Sequence, residues 1–300
     1  MKALETKPNI ALKNILFATD FEVLANRALP YAIALADHYG SKLYATHVVP
    51  PEAYAFAHAA FVQPILKEAE DFATYKLNQI VGLLQHGGRP CEILVSSGEV
   101  GNVVTSFART YCADLIVVGT KSREGIGKLL LGSVAEEIIR EAPCPVLTIG
   151  PRVATGSWYG IQSIICATDF SPGSWRGIQI AASFAHDHDA HLTLTHVVEG
   201  MLRDSPHLAI ELTEKRLRDC IPAEPELRYE PEVVVEIGPV SDRILRTAVD
   251  LSADLIVMGV RGKRAQAQRA SHFGSIAHKV VSLAACPVMT VGDHWQLEDE

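Results

Sequence analysis

The chain has 300 residues, of which 48% are hydrophobic and 21% charged, enough to fill two ordinary cores, so two domains are expected. A formal net charge of −8 argues against broad binding to nucleic acid or acidic membranes, although a local basic loop can still draw one small anion. The N-terminal stretch breaks its apolar residues with Lys, Glu and Asn, and no run approaches the length of a membrane span, so a cytoplasmic protein is expected.

In the first half, β-branched runs predict strands near 14–20, 42–49, 91–97, 114–119 and 145–150, and segments of helical spacing predict helices near 23–39, 62–86, 100–112 and 133–141. In and just before the second of these helical segments Phe56, Phe61, Ile65 and Phe72 mark an apolar face expected to be mostly core, with the part before Pro64 a candidate flap or lipophilic contact surface. Runs such as DLIVVG are apolar on both faces, as parallel strands covered by helices require. The expected fold is therefore α/β, an open, doubly wound parallel sheet of five strands with helices on both faces. Ligands of such sheets lie beyond the carboxyl ends of the strands, where the strand order reverses, and Asp20 and Gly119 end strands there.

The second half repeats the first. ILFATDF returns as IICATDF, KLYATHVV as HLTLTHVV, ADLIVVG as ADLIVMG and CPVLTIG as CPVMTVG. Asp20 recurs as Asp169, Gly119 as Gly259 and Gly132 as Gly274, so the offset falls from 149 to 140 and then rises to 142. The second half has lost nine residues in its middle and gained two in the glycine loop. Two domains, 10–150 and 161–293, are expected around a linker at 151–160 rich in turn formers.

The stretch GTKSREGIGKLLLGS (119–133) is the chemical feature of the first half. Gly119 ends a strand, Gly125 and Gly127 loosen the loop, and Gly132 with Ser133 opens a helix whose free N–H groups suit an anion. Lys121, Arg123 and Lys128 add positive charge. Ser133 also reads as an N-cap with Glu136 completing a capping box, and Val134 and Ile138 as one buried face. A phosphate cradle and a plain connection both satisfy these residues. The six cysteines are scattered without a CxxC, which indicates reduced, buried thiols. The run AHDHDAH (185–191) fits no ligand spacing and reads as a solvated helix end, so no metal is expected. His47 and His196, at matching places near the end of strand two, read as hydrogen-bonded framework residues.

Taken together, the tandem repeat, the ATDF and HVV strand ends, the ADLIVVG strand, the G-x2-G-x9-G-[ST] loop and the APCPVL ending resemble the universal stress proteins, here as two fused UspA-like domains over about the whole chain. The resemblance implies Rossmann-like sheets arranged as an intramolecular pseudo-dimer, paired through 145–150 and 287–292, and it admits assembly into homo-oligomers. It also implies ATP, with or without magnesium, across the switch point: Asp20 and the main chain near Val48 at the adenine, Gly119 near the ribose and triphosphate, Gly132 and Ser133 at the phosphates. In the second domain the matching positions are Asp169, Val197, Gly259, Gly262, Gly274 and Ser275.

Both halves depart from the pattern. Ser122 stands at the second motif glycine of the first half; in the second half eleven residues separate Gly262 from Gly274, and the intervening Lys263, Arg264 and Arg269, with Arg261, are all cations. The first half is expected to be the better nucleotide site. The expected function is that of an ATP-binding regulatory protein, not an enzyme, with any hydrolysis slow and incidental. The alternative is a nucleotide-free contact or apolar-ligand module. Ser171 or Ser174 is expected to cap its helix better than Glu22 does.

Overall fold

The computed structural model describes residues 10–85, 90–120, 131–154, 160–199, 206–223, 226–260 and 274–292. They divide into two compact units, one of 11–151 and the other of Ile10, 152–154 and 160–292.

The first unit runs β1 (Asn14–Ala18), α1 (Val23–Asn26), α2 (Leu29–Tyr39), β2 (Lys42–Val49), a 3-10 turn (Pro51–Ala53), α3 (Ala59–Gln85), β3 (Cys91–Ser97), α4 (Val100–Thr110), β4 (Leu115–Gly119), α5 (Ser133–Glu141) and β5 (Val146–Ile149). Its strands lie in the order β3-β2-β1-β4-β5 and pair in parallel. The second unit runs β6 (Ser163–Ala167), α6 (Pro172–Asp187), β7 (His191–Val198), α7 (Pro206–Arg218), β8 (Glu232–Ile237), α8 (Val240–Asp250), β9 (Leu255–Gly259), α9 (Ser275–Leu283) and β10 (Val288–Val291). Its order is β8-β7-β6-β9-β10, again parallel. The chain direction across the sheet reverses between β1 and β4 and between β6 and β9, which opens a crevice at the carboxyl ends of those strands. This is the expected doubly wound α/β fold.

The strands make the core because both of their faces are covered. Ile15, Leu16 and Phe17 of β1 and Ile164, Ile165 and Cys166 of β6 are inaccessible to solvent. The aspartate of each ADLIV run anchors the first strand of its unit. One oxygen of Asp114 accepts the N–H groups of Lys13 (2.7 Å) and Asn14 (2.8 Å), and one of Asp254 those of Gln162 (2.8 Å) and Ser163 (3.0 Å). Among the described residues no helix is long and apolar enough to cross a membrane.

Four local expectations are corrected. The predicted helix over 23–39 is two helices, because Pro30 in the first turn of α2 lacks an N–H and cannot continue α1. In the second unit Gln179 occupies the matching place and α6 runs unbroken, capped as expected by Ser171, whose Oγ accepts the N–H of Ser174 at 3.3 Å. Phe72 is exposed rather than core and Ile65 is only half-buried, while Phe56 and Phe61, before Pro64, are exposed as a contact surface would be; the buried face of α3 is Ala73, Leu77 and Val81. Helix α5 starts one residue earlier than a Ser133 cap requires: Gly132 is the N-cap, with no side-chain cap bond, and Ser133 is the first helical residue. Its buried face is Ala135, Ile138 and Ile139, while Val134 is exposed.

Candidate functional site

The crevice of each unit begins with the same turn after its first strand. Thr19 Oγ1 accepts the Phe21 N–H at 2.9 Å and Asp20 Oδ1 accepts that of Glu22 at 2.9 Å; Thr168 does the same for Phe170 at 3.0 Å and Asp169 for Ser171 at 3.0 Å. These short side chains bond their own backbone two residues on, which bends the chain sharply. The bend leaves Phe21 at φ 65° and Phe170 at φ 59°. A left-handed backbone costs a side-chain-bearing residue about 1–2 kcal/mol.

A histidine from the second strand backs each phenylalanine. His47 and Phe21 stack with centroids 4.4 Å apart, and His196 and Phe170 lie tilted at 4.7 Å. His47 Nδ1 is 2.9 Å from Thr19 O and His196 Nδ1 is 2.8 Å from Thr168 O. A carbonyl only accepts, so Nδ1 carries the proton in both rings and Nε2 is the acceptor nitrogen. Burial pushes the His47 pKa below its ordinary value, outweighing the bond from Thr19 and the nearby Asp20. Both histidines therefore hold the framework, as their positions suggested.

The structure brings Asp20, Val48, Gly119, Gly132 and Ser133 to one edge of the first unit. Ala18 pairs with Thr46 of β2 and Val118 of β4, so Asp20, Val48 and Gly119 follow at adjacent strand ends. The Val48 side chain is buried, which leaves its main chain as the group the edge can use. Among the described residues, a Cβ on Gly132 would meet nothing within 4 Å. The expected loop residues Ser122, Gly125 and Gly127 lie outside the described residues, as do Lys121, Arg123 and Lys128.

In the second unit Asp169, Val197, Gly259, Gly274 and Ser275 all border one cavity of about 790 Å³, within the range of small-molecule sites. The half expected to be the weaker site thus encloses a ligand-sized space of its own. Gly274 caps α9 without a side-chain bond, so the first N–H groups of that helix have no intrahelical partner. Gly259 has a packing role as well: a Cβ there would lie 3.1 Å from Ser174 N and 3.2 Å from Gly173 C at the start of α6. Gly262 and the basic residues Arg261, Lys263, Arg264 and Arg269 lie outside the described residues.

Two further residues border the cavity. Phe170 lines it, and the Arg216 guanidinium of α7 sits 3.9 Å above the Phe170 ring centre. The repeated ATDF was the available signal for Phe170; nothing in the sequence around Arg216 marks it, because only the fold carries α7 to this edge.

The histidine-rich run makes other contacts. His186 Nδ1 meets Glu226 O at 2.9 Å, Asp189 pairs with Arg228 at 2.9 Å and His191 stacks on Tyr229. Among the described residues no group of three or more His, Cys, Asp or Glu is placed to hold a metal ion. Cys144, Cys166, Cys220 and Cys286 are buried free thiols, whereas Cys91 is half-buried and Cys112 exposed, against expectation; burial raises the pKa of the buried four, that of Cys286 to about 12.

Comparison with known proteins agrees with this arrangement. The model of the universal stress protein family matches twice, at 11–150 and 160–292. A universal stress protein of Synechocystis sp. is 33% identical over 147 residues, covering 45% of this chain and 96% of that protein. One of Methanocaldococcus jannaschii is 31% identical over 141 residues, covering 46% of this chain and 81% of that protein. In fold, a universal stress protein of Archaeoglobus fulgidus superposes with a TM-score of 0.72 at 19% identity, covering 93% of this chain and 98% of that one. Relatives of single-domain length thus match about half of a chain that carries the family pattern twice. The chain belongs to the universal stress protein family and holds two of its domains in tandem.

Proposed function

We propose that this protein is a nucleotide-binding regulatory protein that takes ATP in its first domain and a nucleotide in its second. The observation that carries the reading is the convergence, in both units, of a fixed aspartate turn and an uncapped helix start on the same strand ends, bordering a cavity of about 790 Å³ in the second. The uncapped helix start suits phosphate oxygens, since its N–H groups and dipole favour negative charge. The identity of the base as adenine rests on the family resemblance. Gly132 and Ser133 would bind phosphate oxygens in the first domain, Gly274 and Ser275 in the second, and a magnesium ion would travel with the triphosphate.

Occupancy, rather than turnover, is the proposed output. His47 and His196 spend Nδ1 on the main chain, which suits a framework better than proton transfer. Hydrogen exchange with and without Mg-ATP tests the reading: protection should rise at the ends of β1, β2 and β4 and at the start of α5. Unchanged exchange at saturating ATP, or an ATPase rate abolished by Asp20→Ala or Ser133→Ala, would contradict it.

A second reading has its own observation. Phe56, Phe61, Phe72 and Tyr75 are exposed, and such aromatics suit a contact surface. A nucleotide-free contact module is the reading that remains should both units fail to bind nucleotide.

A further inference from the structure

We propose that Arg216 makes the second-domain cavity selective for guanine, a 6-oxopurine, over adenine. The inference rests on the nucleotide reading above and adds the base that this site takes.

The cavity has two chemically different ends. At one lie Gly274 and Ser275, where the open start of α9 suits phosphate. At the other lie Phe170 and Arg216, beside the end of β7. Strand β6 lies between β7 and β9, so these strand ends are about 10 Å apart. A nucleotide with its phosphates at α9 therefore presents its base to Arg216.

Arg216 is held ready for that role. Its guanidinium sits 3.9 Å above the Phe170 ring, and that ring is fixed by the left-handed turn and by His196. A ring face attracts the charge without using the N–H donors, which stay available in a planar fork. Guanine offers O6 and N7 side by side, two acceptors that such a fork meets together, whereas adenine sets its N6 amino donor against the guanidinium donors.

The first domain is built differently. Leu77 of α3 and Leu217 of α7 are both fully buried at matching positions, which aligns Lys76 with Arg216. Lys76 lies over Phe72 of its own helix, 5.6 Å from the ring centre. The cation that reaches the strand-end phenylalanine is thus a property of the second domain.

The test is calorimetric titration of nucleotide-stripped, full-length protein with Mg-GTP and Mg-ATP. It is run on the wild type, on Gly132→Val to silence the first domain, and on Gly132→Val with Arg216→Gln. In the Gly132→Val protein GTP should bind about tenfold or more tighter than ATP. Arg216→Gln should erase that preference by weakening GTP about tenfold, with ATP changed less than about threefold. ATP binding as tightly as GTP, or an equal loss of both on Arg216→Gln, would overturn the inference and leave the nucleotide reading standing. Binding of neither nucleotide by the wild type would overturn both.

Discussion

Phe21 and His47 hold each other in place: the rings stack with centroids 4.4 Å apart while Phe21 keeps a left-handed backbone at φ 65° and His47 bonds Thr19 O. The contact joins the ends of β1 and β2 where the crevice opens, and it sets the imidazole in a half-buried place. Burial lowers the His47 pKa from the ordinary 6.5. Below that pH the unfolded chain takes up a proton that the folded chain resists, so the unfolded state binds more protons and stability falls. The contribution is complete above about pH 6.5 and is lost as the pH drops through the window beneath it. Urea midpoints of wild type and His47→Gln at pH 7.5, 6.5 and 5.5 check this. The wild type should lose more stability over that range than the variant; parallel profiles would contradict it.

Asp114 is architectural, and its removal should show that. Asp114→Ala withdraws the acceptor of two backbone N–H groups at the start of β1, and charged hydrogen bonds of this kind contribute about 1.5–3 kcal/mol each at most. A loss of about 1–3 kcal/mol in chemical denaturation is expected, and Asp254→Ala should match it. Unchanged midpoints would show that the carboxylates are dispensable.

Gly259→Ala should destabilise the second domain whether or not nucleotide is present. The new methyl would face the backbone of Gly173 and Ser174 at 3.1–3.2 Å, atoms that cannot swing aside, and overpacking costs about 1–3 kcal/mol. A melting temperature equal to that of wild type would remove the packing role assigned to this glycine.

Gly132→Val should separate binding from stability. Its Cβ meets nothing within 4 Å among the described residues, so folding should lose no more than about 1 kcal/mol, the scale of a poorer N-cap. The added methyls would stand where phosphate oxygens approach, and ATP binding by the first domain should vanish. Gly274→Val should close the second cavity and also strain the helix start, since a Cβ there lies 3.1 Å from Val260 O. Full ATP binding by Gly132→Val would contradict the assigned phosphate position.

The central strands were legible in the sequence because they are apolar on both faces, and the duplication showed itself because the same strand ends recur in order. The break at Pro30 was legible in principle, but helical spacing on either side masked it. Phe72 misled because a helix of 27 residues presents only part of its length to the sheet, so apolar spacing alone does not decide which face is covered. The second-domain cavity was not legible. Its walls come from strand ends, from α7 and from the start of α9, and a count of loop glycines weighs none of these. Arg216 belongs to the same class: its role follows from where α7 lies, not from its neighbours in sequence.

The central claim is nucleotide binding, and calorimetric titration of the stripped, full-length protein with Mg-ATP tests it most directly. Saturable binding that Gly132→Val abolishes in the first domain is the result this account predicts. No heat of binding, together with no nucleotide released on denaturing the freshly purified protein, would contradict it.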